Sequence, residues 1–280
     1  MSPNLPGIPG TLHGRPTRRL ETAHCWVEFL TGGGPRILGF GLSGGPNILA
    51  ETPDKTWDSG YGTFELIGGH RLWFAPESPE CSVPDSTTGL EVSPIDGGVR
   101  LAGAIQEPTG LRKSMDVVLA ADAAGLHIRH VIRNEGSRAL DLAPWPVTQL
   151  RLGGTARVAL PGHSHSSTPT QLVVMWPYSS WQEKRLSIRD GEISVAAWAG
   201  EPFKVGCLNY TGRVTYELDD LRFTKSYDPA LPGRHTDLGC NLEIYVDEGC
   251  IELESLAPLT TLVPGEEVAW DEDWELTRIS

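Results

Sequence analysis

The chain has 280 residues and a formal net charge of −13, from 36 acidic and 23 basic side chains. This acidity argues against a nucleic acid or an anionic membrane surface as partner, because both require a positive footprint on the protein. No apolar run approaches the ~20 residues of a membrane span, and residues 1–19 contain no apolar core of signal-peptide length, so we expect a cytosolic protein. The five cysteines include no CxxC pair, which predicts buried thiols rather than a disulfide framework or a zinc finger.

Residues 1–19 are rich in proline and glycine without a periodic pattern, which predicts a loose N-terminal arm before a single domain over 20–280. Many short segments of β-forming residues follow, each bounded by Gly, Pro, Asp or Asn, and this rhythm predicts a large all-β sandwich or barrel. Only Tyr178–Arg185 has room for a short helix. The predicted strands are Thr22–Leu30, Arg36–Leu42, Asn47–Ala50, Leu90–Val92, Val99–Ala104, Arg112–Ala120, Gly125–Asn134, Ala139–Leu142, Thr148–Leu152, Ala156–Ala159, Leu172–Met175, Leu186–Arg189, Ile193–Ala197, Lys204–Tyr210, Val214–Leu218, Leu221–Ser226, Asn241–Val246, Cys250–Leu256 and Trp274–Ile279.

The segment GGHRLWFAPE, residues 68–77, is the first candidate site. Its glycines permit close backbone approach, Arg71 offers a planar set of donors and Trp73 a stacking surface. On a strand, Arg71 and Trp73 share a face that His70 cannot share with Arg71. The alternative interpretation is a structural arginine beside a core tryptophan.

His163 and His165 form the second candidate, because alternate strand positions point to one side and an HxH pair can begin a metal site. The surrounding Ser, Thr and Pro residues favour an exposed loop instead.

Three carboxylates form the third candidate. Glu252 and Glu254 leave a strand on one face, and Glu243 does the same on a preceding strand that would lie beside it. Like charges in one site raise a carboxyl pKa, which suits general acid–base catalysis. A solvated outer face is the alternative.

Lys204 and Lys225 each interrupt an apolar or aromatic strand, where a lysine often binds ligand oxygens or neutralises carboxylates. Among the nine tryptophans, Trp145 stands between two prolines in a segment typical of a cleft rim. No GxGxxG, P-loop, GxSxG or HExxH motif is present, so neither a nucleotide cofactor nor a hydrolase triad is indicated.

Four stretches together resemble an uncharacterised family of the galactose-mutarotase-like superfamily: 32–51, 68–77, 133–154 and 252–276. The resemblance implies a β-supersandwich of two large, curved, mostly antiparallel sheets with a sugar-sized cleft on the concave one. In aldose mutarotases a glutamate removes the proton of the anomeric hydroxyl while a histidine protonates the ring oxygen. By this resemblance Glu254 is the candidate base, Arg71 a candidate substrate-binding group, and no cofactor is expected.

The chain departs from the mutarotases where they carry an Asn-His-x-Tyr-Phe-Asn segment, because here residues 143–149 read APWPVTQ and contain no histidine. The acid is therefore left open among His70, a lysine, and His163 or His165.

We expect first a mutarotase-like isomerase acting on a carbohydrate or similar polyhydroxylated ring. Glu254 and His70 would be catalytic, and the substrate would be bound by Arg71, Trp73, Trp145, Lys204, Lys225, Glu243 and Glu252. A second hypothesis is a carbohydrate-binding protein without catalysis. A third is a metal-dependent isomerase, cyclase or lyase that uses His163 and His165 on a non-sugar substrate.

Overall fold

The computed structural model describes residues 5–85, 89–162, 167, 169–189 and 191–279. Nearly all regular structure in these residues is β, with two short 3₁₀ helices at Pro79–Ser82 and Asp237–Gly239. Within them, no helix has the length and apolarity needed to cross a membrane. The strands are β1 (Ile8–Leu12), β2 (Arg15–Glu21), β3 (Cys25–Leu30), β4 (Arg36–Leu42), β5 (Glu51–Asp58), β6 (Thr63–Gly68), β7 (His70–Ala75), β8 (Glu91–Ile95), β9 (Gly98–Gln106), β10 (Leu111–Leu119), β11 (Gly125–Asn134), β12 (Leu140–Leu150), β13 (Thr155–Ala159), β14 (Val173–Met175), β15 (Leu186–Arg189), β16 (Glu192–Ala196), β17 (Phe203–Cys207), β18 (Arg213–Leu218), β19 (Leu221–Ser226), β20 (Leu242–Val246), β21 (Ile251–Ser255), β22 (Thr260–Leu262) and β23 (Glu267–Arg278).

Two large antiparallel sheets account for all but two of these strands. The first sheet has eleven strands in the order β1-β2-β3-β4-β7-β12-β21-β20-β17-β14, with β22 pairing β12 at one end. The second sheet has ten strands in the order β15-β16-β13-β18-β19-β23-β11-β10-β9-β8. Strands β5 and β6 form a separate hairpin. The prediction of an all-β sandwich is confirmed.

The hydrophobic core lies between the two sheets and draws buried side chains from both. Near its centre Trp274 of the second sheet packs against Phe40 of the first, with ring centroids 5.9 Å apart, and against Phe223 of its own sheet at 5.2 Å. Because side chains alternate along a strand, the residues that fill this core leave their neighbours on the outer face of each sheet. The cleft described below occupies that outer face of the first sheet.

The N-terminal segment differs from the predicted loose arm. Residues 8–12 and 15–21 form β1 and β2, and they extend the first sheet because β1 pairs with β2 and β2 pairs with β3. The prolines are compatible with strands here because Pro9 lies on the edge strand β1 and Pro16 precedes the first residue of β2 that pairs with β3. Arg18 fixes the entry by donating to the carbonyl oxygens of Pro6 and Gly7, and Thr17 donates to Glu28 at 2.6 Å.

The segment expected to hold a short helix, Tyr178–Arg185, consists of turns instead. Arg185 holds it in place through hydrogen bonds to Glu183 and to the carbonyl oxygen of Glu201 at 2.6 Å. These contacts satisfy the segment without a helical ladder.

Strand β12 is continuous, although the sequence predicts two strands separated by prolines. Its N-terminal part pairs with β22 and its C-terminal part with β21, and no ladder partner faces residues 143–146 on that side. The Pro144 carbonyl accepts from the Ala257 amide within this gap. Since N–H and C=O of one residue point the same way in an antiparallel strand, Pro144 directs its missing donor into the gap.

Candidate functional site

The ladder register of the first sheet aligns chemically active side chains in rows across its outer face. One row runs from Arg71 of β7 through Val147 of β12 and Glu254 of β21 to Glu243 of β20. The small Val147 separates the guanidinium side of the row from the carboxylate side.

A second row lies beside the first, with each residue two positions away along its strand. It joins Gln149 of β12, Glu252 of β21, Tyr245 of β20 and Lys204 of β17. Directly opposed residues in an antiparallel pair bring their Cβ atoms within about 5.5 Å. The two rows therefore place three glutamates, one arginine and one lysine on one patch.

A cleft of about 410 Å³ opens above this patch. The β5–β6 hairpin supplies one wall through Lys55, Trp57 and Leu66. The turn segment after β14 supplies Tyr178. The remaining lining residues are Arg71, Trp73, Glu77, Trp145, Pro202, Lys204, Tyr245, Glu252 and Glu254.

Three of the tryptophans that line the cleft pack on one another. Trp73 and Trp145 face each other across the β7–β12 pair with centroids 5.4 Å apart, and Trp57 meets Trp73 edge-on at 6.1 Å. Tryptophan faces suit the C–H-rich faces of sugar rings, and indole N–H groups can reach polar partners at the rim.

Glu254 lies on the cleft floor with 1% of its surface exposed. Its Oε2 accepts from Trp145 Nε1 at 2.8 Å and from Lys204 Nζ at 2.8 Å. Its Oε1 has no hydrogen-bond partner among the described residues. A buried carboxylate oxygen without a partner costs free energy, so this atom is suited to meet a group brought by a ligand.

Lys204 serves two carboxylates at once. Its Nζ lies 2.6 Å from Glu243 Oε2 as well as 2.8 Å from Glu254 Oε2. The ammonium also lies 4.7 Å from the Trp145 ring centroid and 4.8 Å from that of Trp176, on two aromatic faces. Burial lowers the pKa of Lys204, but the two carboxylates outweigh burial and raise it, so the lysine remains charged.

Glu252 occupies the neighbouring outward position on the same strand. Its Oε1 accepts from Gln149 Nε2 at 2.7 Å and from Arg71 Nη2 at 3.2 Å. The Arg71 guanidinium lies over the Trp73 ring, 4.1 Å from its centroid, and its Nε and Nη1 have no partner among the described residues.

Two carboxyl groups of the cleft hold protons more tightly than usual. Burial raises the pKa of Glu252, and Glu254 adds to the rise against the opposing effect of Arg71. At the cleft mouth, desolvation by the walls raises the pKa of Glu77, with the charge of Lys204 opposing it. A carboxyl group with a raised pKa can donate a proton near neutral pH.

His70 does not line the cleft. Its side chain points between the sheets with no exposed surface, where Nδ1 lies 2.9 Å from Thr148 Oγ1 and Nε2 lies 2.7 Å from His130 Nε2. Strand alternation explains the placement, because Arg71 and Trp73 take the outer face. Burial lowers the pKa of His70 well below its usual range, and the predicted catalytic role for it in the cleft has no geometric support.

Lys225 also lies between the sheets, with no exposed surface, on β19 of the second sheet. Its Nζ is 2.8 Å from Glu272 Oε1 and donates to the Leu253 carbonyl at 2.9 Å. The structure thus separates Lys225 from the substrate-binding role predicted for it. His70, His130 and Glu272 each have one potential metal-ligating atom, and these atoms lie within 4.8 Å of one another. The Lys225 ammonium already pairs with the Glu272 carboxylate, so these residues do not need a metal ion to balance its charge.

The other predicted positions come together. Arg71, Trp73, Trp145, Lys204, Glu252 and Glu254 all line the cleft, and Glu243 lies behind them in contact with Lys204. His163 and His165 lie outside the described residues.

The sequence assigned no site role to Lys55, Trp57, Glu77, Tyr178 or Gln149, although Glu77 lies in the first candidate segment. Lys55 forms an ion pair with Asp247 and so fastens the β5–β6 hairpin to the turn before β21. For Lys55 and Trp57 the signal was the aromatic content of residues 51–66, which lack the alternation of a strand. Tyr178 lies in residues 176–181, where tryptophan combines with proline and polar groups as is typical of a cleft rim. The pairing of Gln149 with Glu252 follows from register alone, which one sequence does not specify.

Comparisons with known proteins identify the architecture. No protein-family model matches the chain, and no curated protein matches it. Solved structures do match: a proposed mutarotase from Salmonella typhimurium aligns with a TM-score of 0.61 and 10% identity over 98% of this chain and 97% of that one. The chain has a galactose mutarotase-like fold.

Two further structures support the assignment of the fold. A galactose mutarotase-like protein from Lactobacillus casei aligns with a TM-score of 0.54 and 11% identity, over 93% of this chain and all of that one (100%). A TPR-domain containing protein from Parabacteroides distasonis aligns with a TM-score of 0.63 and 12% identity, over 94% of this chain. This chain spans 47% of that larger protein, about half its length.

Proposed function

We propose that this protein is a mutarotase-like isomerase of a carbohydrate or similarly polyhydroxylated ring, working by general acid–base catalysis in the cleft. The carrying observation is the Glu254 carboxylate: Oε2 is held by Trp145 and Lys204, while Oε1 lies without a partner among the described residues on the cleft floor. This arrangement fixes one oxygen and leaves the other for a substrate hydroxyl.

In this proposal Glu254 removes the proton from the anomeric hydroxyl, so that the electron pair forms a carbonyl as the ring C–O bond breaks. The ring oxygen takes a proton from an acid at the same time. Rotation about the adjacent C–C bond and the reverse transfers close the ring with the opposite configuration. No net oxidation or group loss occurs, so the step requires no co-reactant.

Glu252 is the acid we assign in place of His70. It lies two residues from Glu254 on the same face, about 6.6 Å away along the strand. Arg71 and Gln149 both bind its Oε1, and its other oxygen is not engaged by them. Glu77 at the mouth is the second choice, because its pKa is also raised.

Trp73 and Trp145 give the cleft an aromatic lining, and the cleft volume of about 410 Å³ suits a small ligand. Arg71 offers donors to hydroxyl oxygens. The same features equally fit a carbohydrate-binding protein without catalysis. The observation favouring that second candidate is that the described cleft lining contains no histidine.

Anomer exchange measured by NMR on ¹³C1-labelled D-glucose, D-galactose and D-xylose separates these functions. We expect wild type to accelerate exchange of at least one sugar, and Glu254→Gln to lose it by ~10²–10⁴-fold. Glu275→Gln on an exposed position of β23 is the matched control and should keep the wild-type rate.

Glu252→Gln and Glu77→Gln then identify the acid, since only the true acid gives a loss comparable with Glu254→Gln. Normal turnover in Glu254→Gln would refute the assignment of the base. Saturable binding of a sugar without exchange would replace the isomerase with the binding function.

A further inference from the structure

A buried ion pair of the second sheet contacts the strand that carries the proposed base. Lys225 of β19 and Glu272 of β23 have no exposed surface, and Lys225 Nζ lies 2.8 Å from Glu272 Oε1. Both belong to the second sheet, yet both also bind atoms of β21 in the first sheet.

The contacts to β21 lie on either side of Glu254. Lys225 Nζ donates to the Leu253 carbonyl at 2.9 Å. Glu272 Oε1 accepts from Ser255 Oγ at 2.5 Å. Leu253 and Ser255 are the residues immediately before and after Glu254. The Lys225–Glu272 ion pair therefore holds the chain on both sides of Glu254.

Surrounding groups hold the pair in a single geometry. Trp274 Nε1 donates to Glu272 Oε2 at 3.1 Å, and Trp270 Nε1 donates to Ser255 Oγ at 3.0 Å. Two neighbouring strands of the second sheet therefore contact β21: β19 through Lys225, and β23 through Trp270 and Glu272.

A buried ion pair is a poor means of gaining stability, because desolvation of both charges offsets most of their attraction and apolar residues often stabilise as well. This pair instead constrains geometry, because its two polar contacts fix the position and orientation of residues 253–255. A displacement of about 1 Å at a catalytic group can cost ~10²-fold in rate, so such fixation has a functional value.

We infer that Lys225 and Glu272 are positioning residues, forming an inter-sheet clamp that holds β21 so that Glu254 keeps its contact with Trp145 and Lys204. The inference rests on the proposed function for the role of Glu254, but the clamp itself is a statement about geometry.

The test uses the double variant Lys225→Met/Glu272→Gln. Methionine removes the donor to Leu253. Glutamine keeps the shape and one acceptor oxygen, replaces the other oxygen by an NH2 group, and leaves no unpaired buried charge. Tyr216→Phe is the matched control. Tyr216 is also buried between the sheets, but its hydroxyl donates to the Arg151 carbonyl and accepts from the Gly154 amide, so its polar contacts are not to β21.

Two measurements on the intact protein report the clamp without any substrate. The indole N–H signal of Trp145 in ¹H–¹⁵N NMR, assigned with Trp145→Phe, senses its bond to Glu254 and should move toward its position in Glu254→Gln. Amide hydrogen exchange in β21 should become about tenfold faster or more, while β4 and β18 keep their protection. The control should change neither quantity in β21.

An unchanged Trp145 signal and unchanged β21 exchange in a folded double variant would overturn the clamp. These outcomes are independent of turnover. If wild type shows no anomer exchange but the double variant shifts the Trp145 signal, the proposed function fails and the clamp stands.

Discussion

Replacing Lys204 by methionine tests how much the shared ion pairs of Lys204 with Glu243 and Glu254 stabilise the protein. Methionine keeps most of the aliphatic chain but removes the ammonium that lies 2.6 Å from Glu243 and 2.8 Å from Glu254. Both carboxylates are 1% exposed, so neither can replace the lost cation by water. The variant therefore contains two neighbouring buried carboxyl groups without their shared counter-ion.

The expected cost follows from the burial. Removing one partner of a buried ion pair costs about 3–5 kcal/mol of unfolding free energy. For a domain of this size, ~2–4 °C of melting temperature correspond to each kcal/mol, so the melting temperature should fall by about 6–20 °C near pH 8.

The loss should depend on pH in a defined direction. Burial raises the pKa of Glu243 in the folded protein, with Lys204 opposing the rise. The folded state thus binds the Glu243 proton more tightly than the unfolded chain, and its stability falls as pH rises above the unfolded value of about 4.5. Without Lys204 the pKa rises further, so the deficit relative to wild type should be small at pH 5 and grow toward pH 8.

Thermal unfolding followed by circular dichroism from pH 5 to pH 8 measures this difference. Lys184→Met on an exposed position is the control and should change stability by no more than ~0.5 kcal/mol at any pH. The double variant Lys204→Met/Glu243→Gln should recover part of the loss at pH 8, because one unpaired charge is gone. A folded Lys204→Met protein with a pH-independent deficit, or with none, would refute the shared-cation reasoning.

Two further substitutions test the packing of the cleft. Arg71→Lys removes the contact to Glu252 and the planar stack on Trp73, and should lower the unfolding free energy by about 1–2 kcal/mol in urea titrations; a loss below ~0.5 kcal/mol would contradict the assigned contacts. Gly206→Ala places a Cβ 2.6 Å from a buried cysteine sulfur and should cost about 1–3 kcal/mol, whereas Gly162→Ala, with open space around it, should be near neutral by the same titration.

The all-β fold could be predicted from the β-forming segments, their alternation of apolar and polar residues, and the turn residues between them. Gly125–Asn134 was predicted with its observed bounds because a half-buried strand repeats every two residues. Arg36–Leu42, buried along nearly its whole length, was instead bounded by the Gly, Pro and Ser residues that flank it. Alternation fails where both faces of a strand are covered. Thus β7 is buried throughout, and β12 contains prolines that only a gap between its neighbours makes acceptable.

The candidate site residues were predicted from one strand at a time. The wrong assignments of His70 and Lys225 to the cleft both arise from the direction in which a strand residue points. Alternation placed Arg71 and Trp73 together and already separated His70 from them, so assigning His70 to the cleft conflicted with its own strand. Lys204 and Lys225 give similar sequence signals, an isolated lysine in an apolar strand. What decides that one faces the cleft and the other the core is the face of the sheet toward which each side chain points, and a single strand sequence does not specify that face.

Strand β21 unites these observations, because it is buried on both faces and yet carries charge contacts on both. On its outer face Glu254 pairs with Lys204 and Glu252 pairs with Arg71, and on its inner side Lys225 donates to the Leu253 carbonyl. A site that only bound hydroxyl groups could do so with neutral amides, which avoid the cost of burying charge. Two carboxyl groups held on one strand, each bound through one oxygen by its partners, are the arrangement that the proposed proton transfers require, and the anomer-exchange assay decides between that proposal and binding alone.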